Sequence, residues 1–215
     1  MRRDLLNSLI AVVVLTVALG LAYPLAITGI AQLVFPGKAN GSKVSLGGRT
    51  VGSSLIGQDF EGKPAYFQSR PSATEYAADA TFFSNVGPDS VEGREEVRGN
   101  LAAYLKLNKP YDKSLRKAQV PVDAVTNSAS GVDPHISEAN ARIQAHRVAA
   151  VRGLPPAKVN ELISAHTDGR SLGVLGEPGV DVLQLNIALE EEAPLRARGK
   201  ARRAPFATEK ERPQR

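Results

Sequence analysis

The hydrophobic pattern changes character once along the chain. Residues 5–37 contain no charged side chain, and most are Leu, Val, Ile or Ala. A helix needs about 20 such residues to cross a bilayer, so this run exceeds one crossing and its end projects past the hydrocarbon. Tyr23 suits the membrane interface and Pro24 can bend a helix as it leaves lipid, which makes Tyr23-Pro24 the expected exit zone. A cleaved signal peptide also fits the basic start, the apolar core and the small residues of Ala18-Leu19-Gly20. The apolar run continues well past that site, which favours an anchor. Arg2 and Arg3 favour a cytoplasmic N-terminus, although Lys38 and Lys43 follow the span closely.

Beyond Phe35-Pro36 the pattern becomes mixed. Residues 38–60 are rich in Gly and Ser between short β-branched runs and predict short strands joined by tight turns. "KPAYFQSRPSA" predicts a strand ending at Arg70-Pro71, and residues 75–93 predict a long loop. Residues 94–107 place Val97, Leu101, Tyr104 and Leu105 at helical spacing. Residues 108–134 predict turns and one short strand. Ser137 then caps a helix, Glu138 suits its first turn, and Gly153 stops it. A further helix starts at Pro155-Pro156 and runs to about His166. In "VLQLNIAL", Leu183, Leu185, Ile187 and Leu189 alternate strictly, which predicts a half-buried strand. The expected fold class is α+β. One N-terminal transmembrane helix (1–36) precedes a single compact mixed α/β soluble domain (37–192) and a disordered basic tail (193–215).

Charge sharpens this division. The net charge of +5 comes from 27 basic and 22 acidic residues. Eight of the basic and two of the acidic residues follow Ala193, which leaves 19 against 20 before it. The basic character therefore lies in the tail, and the body offers no excess of cations to nucleic acid. Cysteine is absent, which excludes disulfides and thiolate metal sites. His135, His146 and His166 are not spaced as a metal pair, and no P-loop or Gly-rich dinucleotide motif occurs.

Candidate chemistry concentrates in "VTNSASGVDPHIS". A hydrolase would use Ser128 or Ser130 as nucleophile, His135 as base and Asp133 to orient it. Residues so close in sequence rarely converge as a triad, and no G-x-S-x-G elbow is present. An anion cradle could form from backbone N–H groups around Gly131 and the following helix N-terminus. Residues 120–141 contain no Lys or Arg, however, and Asp123 and Asp133 repel an anion. The third reading is a turn closed by hydroxyls, with Ser137 capping the helix. On that helix Gln144 and Arg147 border Val148 and Val151. They either satisfy buried polar groups or reach a ligand or partner subunit. Arg70 beside Tyr66 and Phe67 predicts a stacked pair.

Several segments together resemble one known family. An apolar span ends in "YPL" and is followed by "FPGKANGS". "GSSLIGQDF", "YFQSRPSA", "SNVGP", "VPVDAVTNSASGVDPHIS", "QAHRVAAVRGL" and "VDVLQLNIALE" come after it in order. These resemble the C subunit of the potassium-transporting ATPase, the KdpC family, over about residues 5–190. Phe82-Phe83 stands where the family tends to have small residues. Asp181 replaces a usual Asn, Asn127 replaces a small residue, and the tail beyond Glu192 has no counterpart.

The resemblance implies a single-span subunit of an inner-membrane pump, with a cytoplasmic N-terminus and an extracytoplasmic domain. The implied partners are a P-type ATPase subunit, a potassium-binding channel-like subunit, a small single-span subunit and membrane lipid. It implies no catalytic residue and no cofactor of the chain's own. A family proposal makes the subunit a catalytic chaperone that raises ATP affinity, with the loop at Ser128, Ser130 and Gly131 contacting nucleotide. Gln144 and Arg147 are further candidates for nucleotide or partner contact. That proposal conflicts with an extracytoplasmic domain, which meets essentially no ATP. Rival readings are a membrane-anchored extracytoplasmic hydrolase using the Ser/His loop and an anchored binding protein for a small ligand.

Overall fold

A computed structural model describes residues 1–79, 85–87 and 89–195. Phe82-Phe83 and residues 196–215 of the basic tail lie outside the described residues. The chain divides into two units, one ending at Lys43 and one beginning at Val44.

The first unit is dominated by a helical run from Arg2 to Val34, 33 residues with a mean hydropathy of 2.5 in its most apolar window and none of that window buried. It comprises α1 (Arg2–Leu15), a π-helical stretch (Thr16–Ala22) and α2 (Tyr23–Val34), followed by the short α3 (Pro36–Ala39). The helix continues through Tyr23-Pro24. Proline lacks an N–H, so an ordinary α register there loses a hydrogen bond. Here the register widens just before it, and Tyr23 N–H bonds Ala18 O, five residues back. Such a bulge absorbs the proline and lets the helix continue.

Apart from its first residue, which closes the first unit, β1 (Lys43–Leu46) opens the second unit and pairs with β2 (Arg49–Ser53), as the Gly/Ser-rich pattern predicts. α4 (Val91–Asn108) starts three residues earlier than expected, because Ser90 accepts a hydrogen bond from Gly93 N and caps it. Residues 108–134 contain two 3-10 turns, Lys117–Gln119 and Val122–Ala124, and no strand. β3 (His135–Ile136) leads directly into α5 (Glu138–Arg152). Ser137 caps α5 by accepting from Asn140 N, and Gly153 ends it at φ +70°. α6 (Pro156–Ala165) follows as expected. β4 (Thr167–Asp168), β5 (Gly179–Asp181) and α7 (Val182–Glu192) complete the unit. β5 is the central strand of an antiparallel sheet, with His135 opposite Asp181 and Thr167 opposite Val180.

Two sequence expectations fail in an informative way. "VLQLNIAL" is helical, not a strand. Asp181 caps it by accepting from Gln184 N at 2.9 Å and from Gln184 Nε2 at 2.7 Å. Val182, Leu183, Leu185, Asn186, Ile187 and Leu189 are all buried. A helix buried on most sides has no single apolar stripe, so alternation does not reveal its period. "KPAYFQSRPSA" forms no strand, because side chains from two helices occupy its backbone hydrogen bonds, as shown below. The main core joins Phe60, Tyr66 and Phe67 to Val148 and Ala149 of α5, Val159 and Ile163 of α6, Val180 of β5, and Leu183, Leu185 and Leu189 of α7. A smaller cluster packs Tyr104 of α4 against Ala124 and Val125, with Leu101, Val120 and Ile143 at its edge.

Candidate functional site

The serine-rich loop takes its shape from its own short side chains and from two neighbouring segments. Ser128 is 1% exposed. Its hydroxyl lies 3.2 Å from Ser130 Oγ and accepts from Asp133 N at 3.3 Å, while its N–H donates to Pro71 O at 2.8 Å. Ser130 accepts from Val132 N. Gly131 has φ +73°, and a Cβ there would meet Thr74 Oγ1 at 2.6 Å. Its carbonyl accepts from Ser72 Oγ at 2.6 Å. Glycine is thus required both by conformation and by space.

The triad geometry is not assembled. His135 Nε2 lies 3.2 Å from Asp168 Oδ2, and its Nδ1 is 3.8 Å from Asp133 Oδ1. Among the described hydrogen bonds none joins the imidazole to Ser128 or Ser130. The helix N-terminus beside the loop already holds an anion, the chain's own. Asp123 accepts from Ser137 N at 2.9 Å, Ser137 Oγ at 2.8 Å and Asn140 Nδ2 at 2.9 Å. Its carboxylate therefore fills the place that the cradle reading leaves for a ligand.

Arg70 supplies the cation that residues 120–141 lack. Its guanidinium pairs with Asp133 at 3.3 Å and donates to Thr126 Oγ1 at 3.3 Å and Asn127 O at 3.2 Å. The expected stacking on Tyr66 belongs instead to Arg152, which lies 4.7 Å from that ring centroid. A cleft of about 560 Å³ opens beside the loop. Arg94, Arg98, Glu96 and Val97 of α4 line one side, and Asn127 and Ser128 line the other.

Gln144 and Arg147 are placed elsewhere, both buried to 1% exposure or less. Arg147 Nη1 donates to Tyr66 O at 2.8 Å and also to Pro64 O, and its Nε donates to Asn108 Oδ1 at 3.0 Å. Its Nη2 donates to Gln144 Oε1 at 2.8 Å. The Gln144 amide accepts from Gln68 N at 2.7 Å and donates to Gln68 O at 3.1 Å. Asn186 of α7 does the same for Phe67, at 2.9 and 3.0 Å. Each amide thus stands in for one residue of a neighbouring strand, donor for acceptor, and this is why residues 66–68 need no sheet. Burial pushes the Arg147 guanidinium down to about 10, which leaves it charged at neutral pH.

Sequence reasoning missed Asn140, Arg152 and Asn186, and it read Asp123 only as a charge that repels anions, not as the group that binds the start of α5. Arg152 donates to Ala65, Leu189 and Ala193 carbonyls and pairs with Glu190 at 2.8 Å, and Tyr66 OH also donates to Glu190. The Asp-x-x-Gln spacing at 181–184 was the one local signal for α7. The other partners are distant in sequence. No group of three or more His, Asp or Glu suited to a metal occurs among the described residues.

Fold and site define a mixed α/β unit preceded by a long apolar helix, with its polar clusters turned largely to holding irregular backbone. The family model described as KdpC, the K+-transporting ATPase c chain, matches residues 5–191. The chain is 43% identical over 197 residues to the potassium-transporting ATPase KdpC subunit of Koribacter versatilis, covering 91% of this chain and 98% of that one. It is 49% identical to that of Cereibacter sphaeroides over 188 residues (87% and 95%) and 50% identical to that of Variovorax paradoxus over 192 residues (88% and 96%). The chain belongs to the KdpC family, the C chains of potassium-transporting ATPases.

Proposed function

We propose that the chain is a non-catalytic subunit of a high-affinity, ATP-driven potassium import complex. It supports assembly or activity of a P-type ATPase subunit and a channel-like potassium-binding subunit, with a small single-span subunit and membrane lipid as further partners. Family membership over residues 5–191 carries this reading. The His135 contacts support the non-catalytic part, because a general base must lie within hydrogen-bond reach of its nucleophile. In this reading the helix from Arg2 to Val34 crosses the inner membrane once, with Arg2 and Arg3 at its cytoplasmic end and the unit from Val44 outside the cytoplasm. Copurification of a tagged chain with a P-type ATPase and its potassium-stimulated activity tests the assignment. A reporter fused after Glu192 tests the orientation, and cytoplasmic activity of the fusion overturns it.

The cleft favours a second reading of the loop. Its volume lies within the range of small-ligand sites, and Arg94 and Arg98 bring cations beside Ser128. If the subunit raises ATP affinity by direct contact, Ser128 contributes from the cleft wall, and Ser130 and Gly131 contribute through the turn that follows it. Gln144 and Arg147 then act by positioning residues 64–68, since their hydrogen bonds are spent there. Under this reading Arg94→Gln with Arg98→Gln raises the ATP concentration for half-maximal activity and leaves assembly intact. An unchanged value rejects it.

A further inference from the structure

The hairpin between β4 and β5 carries apolar surface that neither core uses. Leu172, Val174 and Leu175 are 90%, 73% and 58% exposed. The tip is held in one shape. Ser171 and Leu175 exchange two backbone hydrogen bonds of 2.9 Å, and Gly173 N donates to Arg170 O at 3.0 Å. Arg170 Nη2 closes the base on both oxygens of Glu177, at 3.1 and 2.9 Å. Leu172 has φ +54°. This left-handed conformation is uncommon for a bulky side chain, and turns that require it favour glycine. The chain therefore holds a leucine in a strained conformation with its side chain in water. Strain of this kind persists where surrounding bonds over-determine it, and it clusters at functional sites.

We propose that this tip is a docking knob that inserts into an apolar recess on a partner protein subunit of the potassium-transporting complex, an inference that rests on the accessory-subunit reading above. Charge selects a protein over a lipid surface. Arg170 is neutralised by Glu177, and Asp168 at the hairpin base adds a negative charge beside His135. Residues 169–178 contain no Lys, Trp or Tyr, the residues that draw a segment to an anionic or interfacial bilayer zone. An exposed apolar tip beside a closed ion pair instead matches the apolar centre and polar rim of a protein interface.

The test uses full-length chain, expressed with the pump subunits and recovered through a tagged P-type ATPase subunit. Leu172→Gly removes the side chain and relieves the backbone, so its melting midpoint should equal or exceed that of the unmodified chain. Its retention through detergent and salt washes should nevertheless fall about 30-fold, the scale of a lost hot spot. The triple variant Leu172→Ser, Val174→Ser, Leu175→Ser should lose at least as much. Unchanged retention of both variants overturns the inference, as does a loss that tracks a lowered melting midpoint. Loss confined to binding of phosphatidylglycerol vesicles, or to self-association of the chain, overturns it in favour of lipid or of a second copy. If the unmodified chain itself is not retained, the accessory-subunit reading fails and the docking inference falls with it. If it is retained and the variants are too, only the docking inference falls.

Discussion

Residues 64–68 and residues 125–134 both run irregularly beside the core, yet the first depends mainly on distant partners and the second adds a set of local ones. The first segment is gripped from far away in sequence, by Gln144, Arg147, Arg152 and Asn186. The second is tied partly by its own hydroxyls and carboxylates, two to five residues apart, and partly from outside by Gly57, Arg70, Pro71, Ser72 and Asn100. The distant grip is buried and the local one is partly wet. Water can replace a lost serine at the surface, whereas nothing replaces a lost guanidinium in the interior.

The sharpest break of that contrast is Arg147→Ala. It leaves the Pro64 and Tyr66 carbonyls and the Asn108 amide oxygen without this donor in the core, and should cost about 3–5 kcal/mol in a denaturant titration. Gly131→Val attacks the local region at its least forgiving point. Its φ of +73° and the Thr74 contact should together cost about 2–4 kcal/mol, and more than any single serine change in the loop.

Alkali tests the buried grip more gradually. Burial raises the phenols of Tyr66, Tyr76 and Tyr104 above their ordinary value of about 10. The folded chain then keeps protons that the unfolded chain releases, so this stability is intact below about pH 10 and is lost above it. Arg147, pushed down to about 10, acts in the opposite sense, because the unfolded chain holds that proton longer. Each unbalanced proton is worth about 1.4 kcal/mol per pH unit, and the tyrosines outnumber the arginine. Denaturation midpoints should fall from pH 10 upward, and Tyr104→Phe should flatten the fall.

The smallest effects separate a cap from a turn. Ser137→Ala removes the α5 cap and a donor to Asp123, costing about 0.5–2 kcal/mol. Ser130→Ala should stay within about 0.5 kcal/mol, since its hydroxyl is exposed and bonds only local groups. A larger loss for Ser130→Ala than for Ser137→Ala, measured by thermal melts, inverts the comparison.

Legibility in the sequence followed the same line between local and distant. α5 was readable to the residue because Ser137 and Gly153 act on neighbours, and α6 was readable because Pro155-Pro156 does. α4 was found but started late, since Ser90 was not taken as its cap. α7 was misread because burial on most sides erased its helical period, and only the Asp181 cap pointed the other way. The extended course of residues 64–68 invited a strand, and nothing local says that two amides take the place of one. At the candidate site, the spacing of Ser128, Asp133 and His135 argues against convergence on a triad, and the His135 imidazole bonds Asp168. Arg70 and Asp123 are visible as charges, but their roles stay hidden because their partners lie 14 to 63 residues away.

The distant grip also sets an order on folding. Asn186 sits in the last described helix, and it closes on Phe67 across a separation of 119 residues. Contacts of that span are slow, because the loop entropy must be met before the contact rewards it. A chain delivered from its N-terminus exposes Tyr66 and Phe67 long before the residues that cover them arrive. Phe67 therefore cannot gain its Asn186 partner until α7 has been made. Until then residues 64–68 offer unpaired backbone beside bare aromatic rings, the kind of surface on which nascent chains misassociate.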